Sequence, residues 1–140
     1  MMRNILCAIG LLSVVYVPIV SACGHCVEDK MAAVYDFAVV TKARAQHQHV
    51  AFAAIDGLFR TDASTQGAIA DMVRTAEGVD RASVRVSLEL AALSFAYDPK
   101  RASFASIQRS VGKRLSRIGL RVSEIKIIDD STRVPATANP

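Results

Sequence analysis

The spacing of apolar residues changes period several times along this chain, and each change predicts a new element. Val27, Met31, Val34, Tyr35 and Ala38 recur at helical spacing and predict a helix over 27–46. Glu28 and Asp29 in its first turn and Lys42 and Arg44 in its last suit the helix macrodipole, and no Gly or Pro interrupts it. His49 to Asp56 is a short apolar run closed by Gly57, which predicts a strand. Asp62 or Ser64 can cap a second helix carrying Ile69, Met72, Val73 and Ala76, stopped by Gly78. From Ser83 to Leu88 the pattern alternates, with Val84, Val86 and Leu88 on one face and Ser83, Arg85 and Ser87 on the other. Leu93, Phe95 and Tyr97 form another alternating strand, ended by Asp98-Pro99. Ser103 can cap a helix carrying Ile107, Val111, Leu115 and Ile118, ended by Gly119. Arg121 to Ile128 is a last strand, and the polar segment 129–140 is a predicted flexible tail.

From residue 49 on, the order is strand, helix, strand, strand, helix, strand. That order predicts an α+β fold, a ferredoxin-like βαββαβ sandwich with an additional N-terminal helix. Its antiparallel sheet should carry two helices on one face. The other face is also apolar in part. Val50 and Phe52 have opposite parity to Ala51, Ala53 and Ile55, and Ala92, Ser94 and Ala96 offer small residues where a helix could approach closely. The N-terminal helix is expected to cover this face through Met31, Val34, Tyr35 or Ala38. A helix packed at the sheet edge, or one that joins two copies, is the alternative.

The extreme N-terminus changes the picture. Arg3 precedes an apolar run from Ile5 to Val20 broken by Ser13, and Val20-Ser21-Ala22 offers small residues for cleavage. Residues 1–22 are expected to be a signal peptide, which makes the protein periplasmic or exported; an uncleaved anchor is the other reading. Val20-Ser21-Ala22-Cys23 also resembles a bacterial lipobox. A lipid on Cys23 would attach the protein to a membrane and turn its sulfur into a thioether, removing it as a thiolate. The expected organisation is thus 1–22 signal, 23–48 Cys-x-x-Cys and helix, 49–128 the ferredoxin-like domain and 129–140 the tail. Loss of Arg3 with the signal lowers the net charge of +4 to about +3. The cations between Lys100 and Arg121 read as a solvated helix face, and an exported protein offers no reason to expect a nucleic-acid partner.

Of three cysteines, Cys7 lies inside the signal, so Cys23-Gly24-His25-Cys26 holds the only thiols of the mature chain. Thiolates are soft ligands that suit Cu(I), Zn(II) and similar ions, and two sulfurs across a turn suffice for Cu(I). His25 could add a nitrogen ligand. A helix N-terminus favours the thiolate of Cys26, while Glu28 and Asp29 oppose it. The same motif also fits a redox-active pair, and a structural disulfide or lipid-attachment cysteine is the plain reading. His47 and His49, two apart, would point to one side of an extended chain, as a chelating pair or as ordinary surface. No Ser/His/Asp order, phosphate loop or carboxylate pair with a role is present, so the protein is not expected to be an enzyme.

Ile55-Asp56-Gly57-Leu58, Glu77-Gly78-Val79, Phe95-Ala96-Tyr97-Asp98-Pro99, Ile107 and Ile118-Gly119-Leu120 together resemble the heavy-metal-associated (HMA) domain, over about residues 50 to 125. The resemblance implies the fold of small copper chaperones, a copper or other heavy-metal ion as cargo, and a metal transporter or other exported metal protein as partner. That family keeps a Cys-x-x-Cys in the loop after the first strand. Here the two positions fall on Arg60 and Ala63, or on Asp62 and Thr65, and neither choice gives a thiol. A straight helix of about 18 to 20 residues spans roughly 27–30 Å, close to the roughly 25 Å of the first strand. An antiparallel pairing of the two would bring Cys23 and Cys26 to the loop 56–64 and leave His47 and His49 at the far end. Three functions follow: a heavy-metal carrier or scavenger; a lipoprotein or interaction module without metal binding; a thiol–disulfide redox protein.

Overall fold

Four antiparallel strands form one sheet in the order β2-β3-β1-β4, with β1 His49–Asp56, β2 Arg85–Ser87, β3 Ala92–Tyr97 and β4 Arg121–Ile128. This is a computed structural model, and it describes residues 26–129; the signal segment, Cys23, His25 and residues 130–140 lie outside them. Helices α3 (Ala63–Arg74) and α4 (Phe104–Leu115) complete the ferredoxin-like α+β unit, and α1 (Val27–Val34) and α2 (Phe37–Ala45) precede it. Local chemistry explains the boundaries. Asp62 caps α3 by accepting from Thr65 N at 2.8 Å, and Ser103 caps α4 by accepting from Ser106 N at 3.2 Å. Gly119 closes the last turn of the α4 segment in the left-handed region, at φ 76°.

The core has two halves, one on each sheet face. Ala51, Ala53, Ile55, Leu93, Phe95 and Tyr97 point toward α3 and α4, where Ile69, Val73, Ile107, Val111 and Leu115 bury against them. On the other face Val50, Phe52, Ala92 and Ala96 are covered by Val34, Val40 and Ala43, with Met31 and Val39 partly buried beside them. The small side chains of β3 admit the helices as the alternation predicted. The covering residues differ from the expected set in two places: Ala38 is exposed, and Tyr35 stays half-exposed although its ring stacks on Phe52 at 6.4 Å.

The single N-terminal helix predicted over 27–46 is instead two. Tyr35 is extended (φ −75°, ψ 126°), and Asp36 restarts the helix by accepting from Ala38 N at 2.9 Å and Val39 N at 3.2 Å. Two tertiary contacts favour the break. Ser94 Oγ donates to the Val34 carbonyl at 2.6 Å, satisfying a group that a continuous helix would have paired internally. Arg85 grips Asp36 Oδ2 with Nε at 3.0 Å and Nη2 at 2.8 Å. The Ser83–Leu88 strand is also shorter than predicted. A 3-10 turn takes Arg81–Ser83, because Asp80 Oδ1 accepts from Ala82 N and the Ser83 hydroxyl donates to the Asp80 carbonyl. The β2–β3 connection has no glycine, and Ala91 adopts φ 49° to make the turn.

Candidate metal site and its surroundings

Cys26 is exposed, sits at the N-cap of α1, and its carbonyl accepts from Lys30 N at 3.2 Å. Cys23 and His25 lie outside the described residues, so Cys26 is the part of the predicted ligand set that the structure places. No side-chain capping bond is formed at this helix start. Among the described residues no three of His, Cys, Asp and Glu gather as a metal cluster.

The route by which α1 approaches the β1–α3 loop differs from the matched-length argument. The helix is not straight, so the 27–30 Å span does not apply. Helix α2 lies along the far half of β1, and the chain turns back through His47, whose φ is 53°, with Gln48 N donating to the Ala43 carbonyl at 2.8 Å. The break at Tyr35–Asp36 redirects α1, and Ala33 lines a recess with Thr61, Asp62 and Ala63. Cys26 stands seven residues before Ala33, about 10 Å along the helix axis.

That loop has its own character. It carries an ion pair, Arg60 Nε to Asp62 Oδ2 at 2.9 Å, between the first positions of the two counts considered above. The backbone N–H of Thr65 and then its hydroxyl hold the Asp62 carboxyl below the usual carboxylate value, with Arg60 adding to the effect. Leu58 is 98% exposed and, with Phe59, Ile118 and Leu120, lines an apolar recess of about 300 Å³. Gly57 lets the loop lie against the turn before β4: a Cβ there would meet the Gly119 carbonyl oxygen at 2.7 Å. The apolar character of this loop is carried in the sequence by the Leu58-Phe59 pair directly after Gly57, which the sequence analysis did not single out.

His47 and His49 do not form the same-side pair expected of an extended segment. His47 is a left-handed turn residue, while His49 begins β1. The His49 ring packs edge-on to Tyr97 with centroids 5.5 Å apart, and its Nδ1 lies 3.4 Å from the Tyr97 hydroxyl. Burial, then the charges of Glu124 and Asp129, raise the Tyr97 hydroxyl above the ordinary phenol value. Among the described residues no helix is long and apolar enough to cross a membrane.

No protein-family model matches the chain, and no curated protein matches it at a significant level. Among solved structures, the chain is similar to a copper binding domain from HMA7, a P-type ATPase, at 13% identity and TM-score 0.46, covering 56% of this chain and 96% of that one. It is similar to oxidised MerP from Ralstonia metallidurans CH34 at 16% identity and TM-score 0.44, covering 55% and 96%. It is also similar to the N-terminal domain of a potential copper-translocating P-type ATPase from Bacillus subtilis at 23% identity and TM-score 0.45, covering 59% and 92%. These values are too low to speak to this chain's function; its ferredoxin-like α+β fold stands on the strand order and helix placement described above.

Proposed function

We propose that this protein is an exported, non-enzymatic carrier or scavenger of a thiophilic heavy-metal ion, with Cu(I) the best-suited cargo. Cys23 and Cys26 would hold the ion as thiolates, and His25 would supply a third ligand. The observation that carries the reading is the placement of Cys26. It is exposed at the start of a helix packed on the sheet, about 10 Å along that helix from Ala33, which lies beside Thr61 and Asp62. A pair of soft ligands at an exposed helix start can give up an ion to a partner's thiolates by exchange, because solvent and partner reach the Cys26 sulfur directly. The copper-binding names of the similar domains agree with this choice of ion and carry none of it. Export rests on the segment 1–22, and a metal transporter or another exported metal protein is the proposed recipient.

The test is a Cu(I) titration of the reduced mature protein against a competing chelator. The proposal requires one ion per chain, with affinity lost in Cys23→Ser/Cys26→Ser. Equal binding by that variant would refute it.

One observation favours a second reading, an interaction or lipoprotein module without metal. Leu58 is almost fully exposed in the β1–α3 loop, beside an apolar recess, as in a surface that meets another protein. Intact-mass analysis of the membrane and soluble exported fractions separates the two readings. A diacylglycerol-sized increment on Cys23 would leave a single thiol and eliminate the two-thiolate site. The thiol–disulfide alternative predicts a reduction potential well above about −300 mV and turnover with a disulfide substrate.

A further inference from the structure

Several cations of this domain have structural partners. Lys42, Arg74 and Arg85 are held by carboxylates, and Arg114 donates to the Met72 carbonyl at 2.9 Å and to the Thr75 hydroxyl. Three others on and just after α4 do not. Arg109, Lys113 and Arg117 are exposed, and their side chains have no hydrogen-bond or ion-pair partner among the described residues. Arg109 and Lys113 lie on α4 opposite the stripe of Phe104, Ile107, Val111 and Leu115 that buries against the sheet. Arg117 continues this face into the turn after α4, and no acidic residue occurs between Asp98 and Glu124.

The basic face runs into the apolar end of the molecule. Ile118, half-exposed, follows Arg117 directly and lines one recess with Leu58 and Phe59. The two carboxylates at this end are already engaged. Asp62 is paired with Arg60 and caps α3, and Asp56 accepts from Ser123 Oγ at 3.0 Å opposite Arg121 in the strand register. Lys113 and Arg117 therefore supply the unmatched charge beside Leu58 and Ile118. Leu58 projects into solvent instead of filling a pocket. A bilayer interface answers both features: headgroup phosphates meet the cations, and the acyl boundary accepts a protruding leucine without a shaped counterpart.

We infer that this end of the protein docks on an anionic lipid bilayer. Leu58 and Ile118 enter the interface, with Lys113 and Arg117 among the headgroups beside them. Arg109, about 12 Å from Arg117 along α4, adds attraction at longer range. The inference gives Leu58 a lipid surface as its partner. It rests neither on metal binding nor on a lipid at Cys23.

The test is co-sedimentation of the mature chain, produced without residues 1–22 and so without a lipid, with two kinds of vesicle. One is phosphatidylcholine alone, and the other is phosphatidylcholine mixed with phosphatidylglycerol. Binding is expected to the anionic vesicles only, and it should weaken as salt is added. Lys113→Gln/Arg117→Gln should weaken it about 30-fold, from two cations lost at the surface. Leu58→Ser should weaken it about ten-fold. Arg44→Gln, an equally exposed cation on α2 across the sheet, should bind as the parent does. Absence of binding to the anionic vesicles, equal binding to the neutral ones, a comparable loss in Arg44→Gln, or full binding by Leu58→Ser would overturn the inference. So would soluble polyglutamate binding as tightly as the vesicles and indifferent to Leu58→Ser, a result that would assign the face to an acidic protein.

Discussion

The two faces of the sheet are held by different means. Toward α3 and α4 the contact is broad and apolar: Ile69, Val73, Leu93, Ile107, Val111, Leu115 and Leu120 are all essentially inaccessible. Toward α1 and α2 the strands supply mostly small residues, with Phe52 as the one large fully buried side chain, and polar links help fix the helices. Ser94 holds the end of α1, Arg85 holds Asp36 between the helices, and Asp80 holds Lys42. The first face is a core that defines the fold. The second is a fitted layer whose position depends on a few directional bonds, and that layer carries Cys26.

The comparison is broken most severely by removing the second layer. Truncation before His47 exposes Val50, Phe52, Ala92 and Ala96 together. Each large apolar side chain that loses its cover costs about 1.5–3 kcal/mol, so the melting temperature should fall by more than about 10 °C. An unchanged melt would make the helices an appendage. Leu93→Ala, on the first face, should cost about 3–4 kcal/mol in denaturant unfolding, through lost transfer energy and a cavity. A loss below about 1 kcal/mol would mean that this face is no better packed than the other. Ser94→Ala leaves the buried Val34 carbonyl without its donor and should cost about 1–2 kcal/mol, far more than its change in volume implies.

The smallest effect sharpens the electrostatic side of the difference. The N–H of Val39 first, then Arg85, hold the Asp36 carboxyl below its ordinary value, and Lys42 does the same for Asp80. A depressed folded pKa contributes stability that is complete above the unfolded value near 4 and is lost as pH falls through the folded value. Asp36→Asn keeps a capping oxygen and removes the charge. Its melting temperature should lie slightly below the parent's at pH 7 and converge with it below about pH 4. Parallel curves down to pH 3 would show that the Arg85 contact contributes nothing.

The same contrast explains what could be read from the sequence. The fold was legible because its signals are local: Asp62 and Ser103 cap helices, Gly119 closes the last turn of the α4 segment, and Val84 and Leu88 face inward, although α3 ends at Arg74 with Thr75 as its cap, short of the Gly78 stop expected. The split of the N-terminal helix was not legible. Asp36 lies in an uninterrupted helical pattern, and the group that holds it there, Arg85, is 49 residues away. The Cys-x-x-Cys was visible as a motif, but its neighbours depend on that split.

The central claim is that the thiol motif at the start of α1 binds metal. Amide shifts on addition of one equivalent of Cu(I) to the reduced mature protein test it most directly. The account predicts saturable shifts at Cys26 and Val27, none at His47 or His49, and no response in Cys23→Ser/Cys26→Ser. Shifts centred on His47 and His49, or shifts that survive in the double variant, would contradict it.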